Sequence, residues 1–101
     1  MTYTEAQIRV EALAELANSK NGTLTTSNLI ELLEDRLAPT GKDAEIVDGR
    51  GDTYFSQKVR NLVSHRDQNP GLQTQGLAHY DADGESWTIT AKGRSEAAAQ
   101  V

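Results

Sequence analysis

Apolar residues recur at helical spacing three times along the chain, and the pattern then switches to alternation. Ile8, Ala12, Leu13 and Leu16 define one apolar face, which predicts a helix from Thr4 to about Asn18. Thr4 is a good N-cap, and Gln7 three residues later completes a capping box. Asn21-Gly22 ends this segment, because glycine tolerates the left-handed conformation of a helix stop. Thr23-Leu24-Thr25 is short and β-prone, and predicts one edge strand of a small sheet.

A second helix is expected from a cap at Thr26 or Ser27 to about Leu37. Leu29, Ile30, Leu33 and Leu37 form its stripe, with Glu31, Glu34 and Asp35 facing water. Pro39 and Gly41 stop it. Thr40 to Gly51 is a long connection. Within it, Lys42 to Val47 is expected to form a helical turn that tucks Ile46 or Val47 into the core. Asp48 to Gly51 reads as a polar loop, either functional or disordered.

Asp52 is the predicted N-cap of the third and strongest helix, which spans 52–68. Phe55, Val59, Leu62 and Val63 fall on one buried face. Asn69-Pro70-Gly71 terminates it. Beyond Gly71, residues 77–80 read as one strand and Asp81-Ala82-Asp83-Gly84 as a turn. Trp87 and Ile89 alternate with Ser86, Thr88 and Thr90 in a return strand. Thr90 then caps a last helix through Ala99, which Gly93 is expected to break early.

The expected fold class is α+β, and residues 1–101 form a single domain. The order matches a winged helix-turn-helix: a three-helix bundle, a β-hairpin wing and a C-terminal helix. The short strand after helix one can pair with the hairpin and close a three-stranded sheet. In such an arrangement the third helix enters the major groove.

Composition narrows the chemistry. The chain has 101 residues, 37% of them hydrophobic, and no cysteine. Disulfides, cysteine-ligated zinc and thiol nucleophiles are excluded. No apolar run approaches the ~20 residues of a membrane span. Met1 to Val10 holds no apolar core of a signal peptide, so the expected compartment is the cytoplasm.

The net charge is −5, which by itself argues against nucleic acid. Its distribution changes that picture. Arg50, Lys58, Arg60 and Arg66 face a single acid, Asp52, between residues 49 and 66. Both flanking regions are net acidic. The one basic block coincides with the third helix and its leading loop.

DNA binding needs cations for phosphates and forked polar groups for base edges. Gln57 and Asn61 share a helix face, and either amide can contact adenine N6 and N7. Arg60 suits guanine or phosphate. Arg50, Lys58 and Arg66 suit flanking phosphates, as do the hydroxyls of Ser56 and Ser64. Tyr54, on the first turn, is placed either to stack on DNA or to pack. His65 sits where the helix dipole favours a cation, for a phosphate contact or a cap. Trp87 reads as core, with a methyl-base pocket as the alternative.

No enzyme, metal site or cofactor is expected. The two histidines lie on different elements. The acids of residues 81–85 do not match calcium-loop spacing. Gly49-Arg50-Gly51 lacks the rest of a phosphate loop.

The stretch YFSQKVRNLVSHR, followed by GLAHYDADGESWTITAKGR, resembles winged-helix domains attached to modification-dependent restriction endonucleases. It is also similar to the N-terminal domain of Mrr-type restriction proteins. The shared pattern is a helix of apolar and basic residues, a turn, and W-x-[IL]-T-x-x-G. It covers Gly51 to Arg94. The resemblance implies binding of double-stranded DNA, with N6-methyladenine as the modification read. It also implies a nuclease domain, fused or associated, which this sequence does not contain. Two other expectations compete: a winged-helix protein-interaction module, and a dimeric transcriptional regulator paired through its first or last helix.

Overall fold

The computed structural model describes residues 3–46, 53–68 and 71–99. Over these residues the chain is a small α+β fold. It has four α-helices, one 3-10 turn and one three-stranded antiparallel sheet. None of its helices is long and apolar enough to cross a membrane.

Helix α1 spans Glu5–Asn18 and starts at the expected capping box. Thr4 Oγ1 accepts from the Gln7 backbone N–H at 3.1 Å, and Gln7 Oε1 accepts from the Thr4 N–H at 2.8 Å. Two otherwise orphaned donors are thereby satisfied. Ile8, Ala12, Leu13 and Leu16 are buried, as their spacing implies.

Strand β1 (Thr23–Thr25) runs directly into α2 (Thr26–Leu37). The cap is Thr25, one residue before the expected pair: its Oγ1 accepts from the Asn28 N–H at 3.1 Å. Thr26 is instead buried, and its N–H and hydroxyl both donate to the Glu85 carbonyl. Ala38 ends α2 in the left-handed region with φ 45°, ahead of Pro39. A residue before proline is pushed out of the helical region, so the stop is local chemistry. Arg36 clamps α2 to α1, reaching Glu11 at 2.5 Å and Glu15 at 2.7 Å.

Gly41–Ala44 forms the 3-10 turn. Ile46 does not enter the core; it is 67% exposed, and its backbone bridges to Thr53. The turn buries Asp43 in its place. Val47 and the loop through Asp52 lie outside the described residues. Helix α3 spans Tyr54–Ser64 and is capped by Thr53, whose Oγ1 accepts from the Ser56 N–H at 3.0 Å. The expected cap, Asp52, also lies outside the described residues, and so do Asn69 and Pro70.

Strands β2 (Ala78–Asp81) and β3 (Ser86–Ile89) form the hairpin. The sheet order is β1-β3-β2, so the short strand after α1 closes the sheet on the far side of β3. Trp87 stands opposite Leu24 on one side and Tyr80 on the other. It is fully buried and packs on Tyr80 at 5.1 Å between ring centroids. It is therefore core.

Helix α4 spans Ala91–Ala99, with Thr90 Oγ1 accepting from the Gly93 N–H at 2.9 Å. Gly93 does not break it. At this residue the helix passes against Leu77, just ahead of β2, where a Cβ would collide with the Leu77 carbonyl and sit 2.8 Å from Ile89 Cγ1. Glycine is thus a packing requirement, at about 1 kcal/mol of helix propensity.

One core joins these elements. It takes Ile8, Leu13 and Leu16 from α1, Leu29 and Leu33 from α2, and Phe55, Val59 and Leu62 from α3. Trp87 and Ile89 close it from the sheet.

Candidate nucleic-acid interface

Helix α3 buries Phe55, Val59 and Leu62 and leaves Val63 half-buried. The remaining circumference divides into an outward face and a flank turned toward the N-terminal residues of the chain.

Gln57, Arg60, Asn61 and Ser64 lie at i, i+3, i+4 and i+7, on the outward face. Arg60 and Ser64 are exposed; Gln57 and Asn61 are half-buried. Gln57 Nε2 donates to Asn61 Oδ1 at 3.3 Å, so the two amides form one linked unit. Gln57 contributes a carbonyl oxygen to that unit and Asn61 an NH2 group, the hydrogen-bonding complement of an adenine edge. A bidentate contact from either amide alone would exchange the link for bonds to the base.

Beside this face lies a groove of about 380 Å³. Its walls are Arg60 and Ser64 of α3, Thr25 and Ser27 at the start of α2, and Tyr80 and Glu85 of the hairpin. Periodicity within α3 gives no sign of these last four residues, because they come from three separate segments.

The flank is occupied otherwise. Lys58 Nζ donates to Asp43 Oδ1 at 2.6 Å and to the Tyr3 carbonyl at 2.8 Å. Asp43 is fully buried and also accepts from the Tyr3 N–H at 2.7 Å. Burial alone would raise its pKa. The hydrogen bonds from Lys58 and Tyr3, with the Lys58 charge, outweigh that and hold it below the usual carboxylate value. His65 is the C-cap residue of α3, and its Nδ1 lies 2.7 Å from Glu5 Oε1. Two polar links therefore fasten the lead-in to α1 against α3.

Several expected contact residues are thus committed within the fold. Lys58 is not a flanking cation for phosphate, because its ammonium belongs to the Asp43–Tyr3 cluster. Ser56 is buried and donates to the Thr53 carbonyl at 3.0 Å, as the capping geometry requires, so it faces no groove. Arg66 donates to the Val63 carbonyl at 2.7 Å and lies 5.1 Å over the Tyr80 ring, tying α3 to the sheet. Tyr54 is half-buried on the first turn, and its backbone N–H donates to the Glu45 carbonyl at 2.9 Å. Arg50 lies outside the described residues. Asp43, which decides the fate of Lys58, carries no mark in the sequence: it is one acid in a loop 15 positions away.

The hairpin tip is acidic. Asp81, Asp83 and Glu85 are exposed, and no lysine or arginine occurs between Ala78 and Thr90. Among the described residues, no group of three or more His, Asp or Glu is arranged to hold a metal ion. Comparison with protein-family models, with curated proteins and with solved structures finds no match to this chain.

Proposed function

We propose that this chain is a winged helix that binds double-stranded DNA by inserting the outward face of α3 into the major groove. The carrying observation is the face itself: Gln57, Arg60, Asn61 and Ser64 in line, on a helix whose opposite side is sealed in the core. Support for the fold comes from the helix–strand–helix–helix–hairpin order and the β1-β3-β2 sheet. The linked amides give the base reading, with adenine as the matched edge. Arg60 supplies guanine or phosphate recognition.

The sequence resemblance extends this reading to N6-methyladenine and to a nuclease domain as fused or associated partner. The methyl group would make an apolar contact in the groove. Such a contact is worth ~0.8 kcal/mol, the value of one buried methylene, or about a fourfold preference. Titration of methylated and unmethylated adenine-containing duplexes tests both levels. Binding to neither at low salt overturns the proposal. Equal binding to both leaves DNA recognition standing and removes the methyl preference.

The committed cations sharpen the expectation. A basic block acting through Arg50, Lys58, Arg60 and Arg66 would give a salt slope near −3.6, at about −0.9 per phosphate contact. With the Lys58 charge paired to Asp43, the expected slope is shallower by about one.

A second reading, a protein-interaction module, is favoured by one observation: the exposed acids of the hairpin tip beside this face. In that reading, duplex binding is absent at low salt and Arg60→Ala leaves the nucleic-acid signal unchanged.

A further inference from the structure

The hairpin tip lies beside the outward face of α3, and its charge is of the wrong sign for a phosphate contact. Asp81, Asp83 and Glu85 are all exposed there. Gly84 and Glu85 line the same groove as Arg60 and Ser64. The tip is also fixed in place. The Glu85 carbonyl accepts from the Thr26 N–H at 2.9 Å and from the Thr26 hydroxyl at 3.2 Å, at the start of α2. Glu85 holds φ 49°, a conformation a residue with a Cβ rarely adopts, and its carbonyl accepts both hydrogen bonds from Thr26 there. Asp81 Oδ1 accepts from the Asp83 N–H at 3.1 Å and orders the turn.

We infer that this wing tip is an electrostatic fence: it repels the phosphate backbone, so the duplex is engaged by α3 and the start of α2 without the hairpin. The inference rests on the proposed DNA binding. Like charges held beside the groove raise the free energy of every duplex equally, because phosphates carry no sequence information. Base contacts from Gln57 and Asn61 are untouched. The acids thus lower affinity for specific and non-specific duplexes alike and leave the ratio between them to the base contacts. They set the overall strength of binding by repulsion.

The test is a triple variant, Asp81→Asn, Asp83→Asn and Glu85→Gln. Asparagine at position 81 retains the oxygen that accepts from Asp83. The control is Glu34→Gln, Asp35→Asn and Glu96→Gln, which removes the same charge from exposed sites on α2 and α4. Affinity for a duplex of random sequence is measured by fluorescence anisotropy at several salt concentrations. The wing variant is expected to bind roughly five- to tenfold tighter than wild type at low salt, from three unit charges at about 10 Å in water. The gain should shrink once the Debye length falls below that distance. The control should gain about twofold or less. A wing variant that gains no more than the control overturns the fence while wild-type binding keeps the DNA reading intact. Absence of duplex binding by wild type and both variants overturns the DNA reading and the fence with it.

Discussion

On the flank of α3 that faces the chain's N-terminal residues, Lys58 and His65 are each bonded to a carboxylate of another element. On the outward side, Gln57, Arg60, Asn61 and Ser64 form a face beside an open groove. The two sides carry similar residue types a few positions apart. They differ in what lies across from them: a buried aspartate and a helix lead-in on one side, a groove on the other. Counting cations along a helix therefore overstates its basic surface. A charge bonded to a buried carboxylate, as Lys58 is to Asp43, belongs to the scaffold.

The largest expected effect breaks the flank. Asp43→Ala leaves the Tyr3 N–H without its acceptor and the Lys58 ammonium without its counter-charge, with only the Tyr3 carbonyl still accepting from it. The expected cost is about 2–3 kcal/mol, discounted from a fully buried pair because Lys58 is 30% exposed. Urea denaturation measures it, and a loss under about 0.5 kcal/mol would make the cluster ornamental. The pH dependence follows from the lowered Asp43 pKa. Its contribution is fully present above the ordinary aspartate value of 3.8 and is lost as pH falls through the lowered folded value. Thermal melts of wild type and Asp43→Asn should converge as pH falls below the ordinary aspartate value of 3.8, and parallel curves would contradict the assignment.

A change on the outward face should do the opposite. Asn61→Ala is expected to weaken duplex binding by about tenfold, a bidentate base contact being worth about 1–3 kcal/mol. Its stability should stay close to wild type. Matched losses of stability and binding would place Asn61 in the scaffold. The smallest effect belongs to Glu5→Gln. Because His65 is 44% exposed, loss of the pair should cost less than about 1 kcal/mol. A shift of several degrees in Tm would show that the α1 lead-in depends on it more heavily.

The helices and the hairpin were legible because their apolar period is local. Ile8 to Leu16, Leu29 to Leu33 and Phe55 to Leu62 are buried as their spacing requires. Caps were legible only to within a residue, because Thr25, Thr26 and Ser27 are all competent and only the strand's end selects Thr25. Gly93 reads as a helix breaker in sequence, and only its close approach to the Leu77 carbonyl reveals its use. The outward face was legible in composition, since Gln57, Arg60, Asn61 and Ser64 share a spacing. The commitment of Lys58, Arg66 and Ser56 was not. It depends on Asp43, on Tyr80 and on the cap geometry at Thr53, none of which a helical period encodes.

The most direct test compares the salt dependence of duplex binding in wild type, Arg60→Ala and Lys58→Met. Arg60→Ala is expected to flatten the slope by about one, and Lys58→Met to leave it unchanged while lowering stability. A slope that flattens in Lys58→Met and not in Arg60→Ala would contradict the account, because the phosphate contact would then lie on the flank assigned here to the scaffold.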